Sequence, residues 1–396
     1  LLSLCFFYHY SITLGEDPLM KKTLAIGLAL TMATFSSVSV ADHEPKRMMK
    51  NMEDYAYLSM TGMLGRFNVD FAKFGDIPSG KTTVVKNKRF DKFLSDKMNI
   101  AAIVMKNGEI IYERYNEKRK IDSNTPLHGL SMSKTATGAT IGHLLCEGKI
   151  SSLDDTPSKY SKFLAKTPFS NIKIRNILQM NSGVSPLGRG DEKKFNRKSR
   201  GMLKFEGKAS IREALAFYSE AARIQGDKMN YHSTDSLTLS LLVEDIASAP
   251  LSQVFYENLY KKFGKSGYMQ WTSDKAGTTL GFSDLVMTAQ DWANFGNFLM
   301  EEKKKKSCLG NFFNEGVKNA VNTGKSNGSK YGYQSWVFNV SGGPAMTMQG
   351  HGGQFAVLDE KTDTVLLLIS MNEKYKSGNL FSQINKFAEK LHKTSN

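Results

Sequence analysis

PLHGLSMSKTATGATIGHLLCEGKI, residues 126–150, is the stretch from which the fold is read. Ser131 and Lys134 stand three residues apart at the head of an expected long helix. One helical turn brings such a pair to the same face, where a hydroxyl and an amine can share a proton. Behind them Ala136, Gly138, Ala139 and Gly142 are small enough for tight packing on several sides. Ile141, Leu144 and Leu145 supply apolar contacts, and Gly148 stands where a helix stop is expected. The pattern predicts a buried central helix with a reactive serine at its positive end, where the helix partial charge favours an anionic oxygen.

S-x-x-K alone is a weak pattern in a lysine-rich chain. It recurs at Ser170-Asn171-Ile172-Lys173, where no helix of small residues follows. The surroundings of residues 126–150 therefore carry the reading. Upstream, NIAAIVMKNGEIIYERY (residues 99–115) reads as two strands joined at Asn107-Gly108, a strong hairpin signal. Downstream, residues 172–184 form a short helix ending at Ser182-Gly183, and residues 184–208 form a polar, basic loop that can act as a lid. Residues 211–224 are helical. Tyr231-His232-Ser233-Thr234-Asp235 is a turn whose Ser233 or Asp235 can cap a helix over 236–248. Leu237, Leu241, Leu242 and Ile246 are the apolar face of that helix. A further helix runs over 289–300.

From residue 331 the chain turns to β: YGYQSWVFNV, AMTMQ, FAVLDEK and TVLLLISMN, with a tight turn at 359–362 and a closing amphipathic helix over 380–392. Two strands come early, several come late, and helices fill the middle. That order predicts an α/β protein of the α+β type, an antiparallel sheet flanked by helices with an all-helical subdomain inserted. The sheet part spans about 99–125 and 325–396, and the helical part about 126–324. Residues 42–98, of mixed character, read as an N-terminal extension.

The chain of 396 residues begins with leucine. Met20-Lys21-Lys22 and the apolar run that follows have the form of a secretory signal, with cleavage expected after Ala41 and residues 1–19 read as translated upstream sequence. The apolar run is short for a membrane span. The expected mature protein, residues 42–396, is periplasmic or secreted and has no membrane span. Cys146 and Cys308 lie in dissimilar contexts and are expected to be free thiols. The formal net charge is +15, with basic clusters at 193–200 and 303–306. Neither cluster has the interleaved aromatics of a nucleic-acid module, so both read as solvated surface and no specific nucleic acid is expected.

Several motifs compete. GDIPSGKT, residues 75–82, fits the phosphate-loop pattern but follows no apolar run and contains Pro78. Gly324-Lys325-Ser326-Asn327-Gly328 fits the nucleophile-elbow pattern, yet both flanks are polar and turn-like. The seven histidines are scattered, so neither a metal nor a cofactor is expected.

SMSKTATGATIGHLLCEGKISSLDD, IRNILQMNSGV, NYHSTDSLTLSLLVEDIAS, DKAGTTLGFSDLVMTAQDWANFG and GHGGQFAVLD occur in an order that resembles the serine β-lactamase and penicillin-binding superfamily. Within it, they are most similar to the class C, esterase and 6-aminohexanoate-dimer hydrolase branch. The resemblance covers about residues 97–395. It implies an acylating serine at Ser131, a partner base at Lys134, and Tyr231 in the place of the Y-x-N tyrosine. His351-Gly352-Gly353 takes the K-T-G place, and Gln354 supplies a backbone N–H to an oxyanion hole shared with Ser131. Two departures matter. Ser233 replaces the Y-x-N asparagine, and His351 replaces the lysine that grips a β-lactam carboxylate. Tyr256-Glu257-Asn258 fits Y-x-N literally but lies in a helix-like stretch. The resemblance implies an enzyme acting on a small-molecule ester or amide, with β-lactamase or D-alanyl peptidase-like activity, or a silent ligand-binding role, as alternatives. The oligomeric state is not implied.

Overall fold

Strand pairing in the computed structural model, which describes residues 69–79, 86, 88, 91, 99–184, 210–218 and 223–370, joins the two chain ends. In chain order the strands are β1 (Val69–Phe74), β2 (Asn99–Lys106), β3 (Glu109–Tyr115), β4 (Pro126–His128), β5 (Met269–Asp274) and β6 (Leu285–Thr288). They continue with β7 (Val321–Asn322), β8 (Lys330–Tyr331), β9 (Trp336–Val340), β10 (Gly343–Gly350), β11 (Gln354–Asp359) and β12 (Thr364–Ser370). The larger sheet has the order β3-β2-β12-β11-β10-β9-β8-β7, and every pairing in it is antiparallel. The early hairpin and the late strands thus share one sheet through β2 and β12. Asn107 and Gly108 both hold positive φ at the hairpin turn, as a two-residue connection with the right twist requires.

The apolar run in β12 is buried at every position. Alternation along the strands divides these side chains between two cores. Ile103, Met105, Val365 and Leu367 belong to one, and Ala102, Val104, Leu366 and Leu368 to the other. A short continuous apolar strand is what a sheet covered on both faces needs.

The principal helices are α1 (Ser133–Cys146), α2 (Ile174–Leu178), α3 (Ile211–Tyr218), α4 (Ser233–Ala247), α5 (Leu251–Phe255), α6 (Ala289–Lys305) and α7 (Cys308–Lys318). Helix α6 packs on β2, β11 and β12, while α1 lies among α4, α5 and α7. The small residues of α1 account for that position. A methyl group at Gly142 would meet Phe312 and Leu309 of α7, and one at Gly138 would meet Tyr333 and Gln334.

Several expectations are corrected. Cys146 and Cys308 form a disulfide and are not free thiols. Contact between α1 and α7 brings their Cα atoms to 5.7 Å, a proximity that spacing along the chain does not reveal. Helix α4 begins at Ser233, and neither Ser233 nor Asp235 caps it; His232 holds the cap position in extended conformation, and its side chain makes no capping bond. The lysine run in the last turn of α6 is only partly solvated. Lys303 is buried and paired with Glu360, and Lys304 pairs with Asp363 and Glu301. Together they tie the α6 C-terminus to the β11–β12 turn.

The inserted region also holds β4, β5 and β6, which with β1 form a second antiparallel sheet of order β1-β5-β6-β4. Residues 69–74, within the segment set apart as an extension, supply its edge strand β1. Gly75 to Ser79 continue from that strand; the rest of GDIPSGKT is outside the described residues. The signal stretch, the basic loop over 188–208 and the closing helix over 380–392 are outside them as well. No described helix is long and apolar enough to cross a membrane.

Candidate active site

Ser131 sits in a 3-10 turn, Leu130–Met132, immediately before α1, not in the helix itself. Leu130 holds φ +46, a conformation that costs a non-glycine residue on the order of 1–3 kcal/mol. The turn is braced to sustain it. The Ser133 hydroxyl donates to Leu130 O at 2.6 Å and accepts from the Leu285 amide at 3.0 Å. Gly129 N–H donates to Leu285 O at 2.9 Å, and Trp292 packs against Gly129 while donating to Leu127 O. The turn is therefore fixed to β6. Ser133 occupies an "x" of S-x-x-K, so the motif conceals its part in holding the turn.

Lys134 is buried, with its ammonium nitrogen 3.1 Å from Ser131 Oγ and 2.7 Å from Phe282 O. Its Nζ lies 5.0 Å from the ring centre of Tyr231 and 5.5 Å from that of Phe282. Burial lowers its pKa to about 7, against the opposing charge of Asp284. Phe282 O is positioned by a loop clamped on three sides. Trp271 donates to Ser283 O at 2.8 Å, Thr137 of α1 donates to Gly281 O at 2.6 Å, and Gly281 N–H donates to Ser240 of α4. A methyl group at Gly281 would lie 2.1 Å from Ser240 Oγ, so only glycine permits this approach. Asp284 on the same loop is buried at φ +62, with His128 Nδ1 at 3.6 Å from its carboxylate.

Tyr231 precedes α4 and packs on Trp336 and Tyr331, with ring centres 5.2 and 5.7 Å away. Burial pushes its pKa up to about 12, opposed by hydrogen bonds with Ser131 and the Trp336 side chain. Its phenol is therefore a proton donor near neutral pH. Two residues beyond Ser233, the first residue of α4, the buried Asp235 accepts from Ser182 at 2.7 Å. Burial holds its carboxyl well above the usual carboxylate range.

Gly352 and Gly353 form the β10–β11 turn with His351 and hold positive φ. His351 is exposed, and Gln354, buried, opens β11. A methyl group on Gly350 would lie 2.5 Å from Gly129 O and 3.4 Å from Leu130 Cβ. The end of the β10–β11 hairpin is thereby packed on the turn that carries Ser131. The geometry joins Ser131, Lys134 and Tyr231 in direct contact and borders them with the Gln354 strand end, whereas the His351 side chain points into solvent.

The decoys separate clearly. Lys173 of the second S-x-x-K pairs with Asp154 at 3.1 Å. Asn258 lies in a π-helical turn, Tyr256–Tyr260, and donates to Val254 O. Residues 324–328 form the exposed connection between β7 and β8. Among the described residues, no group of three His, Cys, Asp or Glu side chains could hold a metal ion.

A family model described as Beta-lactamase matches residues 90–379. A Bacillus anthracis protein described as a candidate 6-aminohexanoate-dimer hydrolase is 21% identical, with a TM-score of 0.68 over 90% of this chain and 99% of that one. The hydrolase EstCE1, with promiscuous acyltransferase activity, is 16% identical, with a TM-score of 0.58 over 76% of this chain and 97% of its own. A penicillin binding protein from Bacillus halodurans is 14% identical, with a TM-score of 0.58 over 75% of this chain and 99% of that chain. No curated protein matches the sequence.

Proposed function

From the premise that the chain belongs to the β-lactamase family, and so is a serine hydrolase, we propose that it is exported and cleaves ester or amide bonds through an acyl-enzyme on Ser131. Lys134 and Tyr231 move the protons. The observation that carries this reading is the Lys134 amine, 3.1 Å from Ser131 Oγ with its pKa lowered to about 7. A serine hydroxyl becomes an effective nucleophile only when a neighbour takes its proton, and a lysine can do so only in its neutral form.

Ser131 Oγ attacks the substrate carbonyl as its proton passes to Lys134. Backbone N–H groups of Ser131 and Gln354 receive the oxyanion, a contribution of about 2.7–4 kcal/mol per donor in related chemistry. Tyr231, held protonated, gives its proton to the departing oxygen or nitrogen and regains one from Lys134. Water then attacks the acyl-enzyme, with Lys134 and Tyr231 accepting its proton and returning one to Ser131. Gly353 and Ser233 border the substrate in this reading, and the exposed His351 stands beside Gly353 on the β10–β11 turn. Export is supported by the secretory pattern over residues 20–41 and by the Cys146–Cys308 disulfide, which suits an oxidising compartment.

An exposed His351 stands in the K-T-G place instead of the lysine that grips a β-lactam carboxylate, so small activated esters and short linear amides are the expected substrates. The test uses residues 42–396. A fluorophosphonate should label the protein and fail to label Ser131→Ala, whose hydrolysis of p-nitrophenyl butyrate should fall about 10⁴-fold or more. Absence of labelling would favour a silent binding protein. A higher kcat/KM on nitrocefin than on p-nitrophenyl butyrate would make the chain a β-lactamase in activity.

A further inference from the structure

Gln334 lies two residues before β9, is buried, and holds φ +56, in the left-handed region that a non-glycine residue rarely adopts. Its bonds show what sustains that conformation. The Gln334 N–H and the side-chain Nε2 both donate to Leu178 O at the end of α2, at 2.9 and 3.0 Å. Gln334 O accepts from the Thr135 hydroxyl of α1 at 3.0 Å, and Oε1 accepts from the Ser236 hydroxyl of α4 at 2.6 Å. A methyl group at Gly138 would lie 3.0 Å from Gln334 Cβ, so α1 rests directly on this residue. One residue therefore joins three helices. Capping α2 would need only the two donors to Leu178 O. The other two bonds reach elsewhere: Thr135 is the residue next to Lys134, and Ser236 lies in the helix that Tyr231 leads into. Two residues beyond Gln334, Trp336 packs on Tyr231, with ring centres 5.2 Å apart.

We propose that Gln334 is a positioning residue that fixes the separation of Lys134 and Tyr231, and through it the delivery of a proton to the leaving group. The proposal rests on the Ser131 acyl-enzyme reading above, in which Tyr231 gives its proton to the leaving group and regains one from Lys134. Lys134 Nζ lies 5.0 Å from the centre of the Tyr231 ring, and the two residues stand on segments 97 positions apart in the chain. Gln334 touches neither. It acts on both by holding α1 beside Lys134, α4 beyond Tyr231, and the strand start whose Trp336 supports the Tyr231 ring. A buried amide with its donors and acceptor all bonded is a rigid spacer, because any shift would leave a polar group unpaired in the interior. Proton transfer is sensitive to such shifts: a misplacement of about 1 Å can cost about 10²-fold in rate.

The experiment measures kcat/KM on phenyl butyrate and p-nitrophenyl butyrate, which share an acyl group and differ in how much the leaving group needs a proton. Gln334→Asn keeps an amide and tolerates positive φ, but is one methylene too short to span Leu178 O and Ser236. Ser236→Ala releases α4 alone and leaves the bonds to α1 and α2. Each variant should lose about tenfold on phenyl butyrate and about twofold or less on p-nitrophenyl butyrate. In a Tyr231→Phe background neither should lower the phenyl ester rate further, because the group being positioned is gone. Equal losses on both esters, losses that persist alongside Tyr231→Phe, or unchanged activity in both variants overturn the proposal. Should Gln334→Asn fail to fold, Ser236→Ala decides by the same criteria. Fluorophosphonate labelling keeps the two readings apart. With a wild type that is labelled and active, an unchanged ester ratio condemns the positioning role alone; a wild type neither labelled nor active condemns the Ser131 reading, and the positioning role falls with it.

Discussion

The two sides of Tyr231 are built differently. On the helix side, Ser131 and Lys134 are held by a dense set of short bonds: Ser133 to Leu130, Gly129 and Ser133 to Leu285, and Lys134 to Phe282 O on a loop clamped by Trp271, Thr137 and Ser240. On the sheet side, His351 and Lys325 stand on exposed turns, with the rigid ring of Trp336 between Lys325 and Tyr231. Both sides hold a lysine near an aromatic ring, but only Lys134 is buried, and burial lowers its pKa to about 7. Only Lys134 has acceptors within 3.1 Å. Proton transfer needs fixed distance and exclusion of water, whereas choice among substrates needs reach and tolerates exposure.

Substitutions at Lys134 should show the largest effect on that contrast. Lys134→Met should cut kcat/KM on p-nitrophenyl butyrate by about 10³-fold, and Lys134→Arg should be no better, because a guanidinium cannot give up its proton. In the wild type, activity should rise with pH through about 7, as Lys134 loses its proton, and fall on acidification. Stability runs the same way. Between about pH 7 and the ordinary lysine range, the unfolded chain binds a proton at Lys134 that the folded chain does not, so the free energy of unfolding increases with pH there. Lys134→Met should therefore raise stability at neutral pH, by on the order of 2 kcal/mol in urea titration. A flat pH–rate profile from 6 to 9 would break the assignment of Lys134 as the base.

Tyr231→Phe removes the proposed proton donor and keeps the ring packed on Trp336. A loss of about 10²-fold in kcat is expected, with labelling by fluorophosphonate reduced but present. The loss should be greater for amides than for p-nitrophenyl esters, whose leaving group needs no proton. Equal losses on both substrate types would mean that Tyr231 positions Ser131 and does not protonate the leaving group.

Ser133→Ala tests the bracing itself. The hydroxyl bridges Leu130 O and the Leu285 amide, so its removal releases the strained turn and costs about 1–3 kcal/mol of stability. The expected kinetic effect is the smallest of the three, about tenfold in kcat with KM little changed. Ser133→Thr should restore part of it. A change in KM alone would place Ser133 among substrate contacts.

Much of this is legible in the chain itself. The small residues after Lys134 announced a helix packed on several sides, and Gly138 and Gly142 do meet Gln334 and Phe312. Asn107-Gly108 announced its hairpin through the positive φ that both residues adopt. The late apolar runs announced strands, and their return to the early hairpin announced one sheet. These are local or periodic properties, set by propensity and by the alternation of side chains along a strand.

What tertiary structure alone decided depends on contacts across long separations. Phe282 O reaches Lys134 from 148 positions away, and a backbone carbonyl leaves no mark in sequence. The Cys146–Cys308 bond spans 162 positions and exists because α7 lies on α1. Lys303 looked like one more surface charge until the β11–β12 turn brought Glu360 to it. Lys325 lay inside a false elbow motif, and only the fold brought it to the face of Trp336, which packs on Tyr231. Sequence sets which groups the chain carries and how each segment pleats or coils. Which of those groups lose water and meet one another is decided when the segments pack, because burial and proximity belong to the assembled fold and to no segment alone.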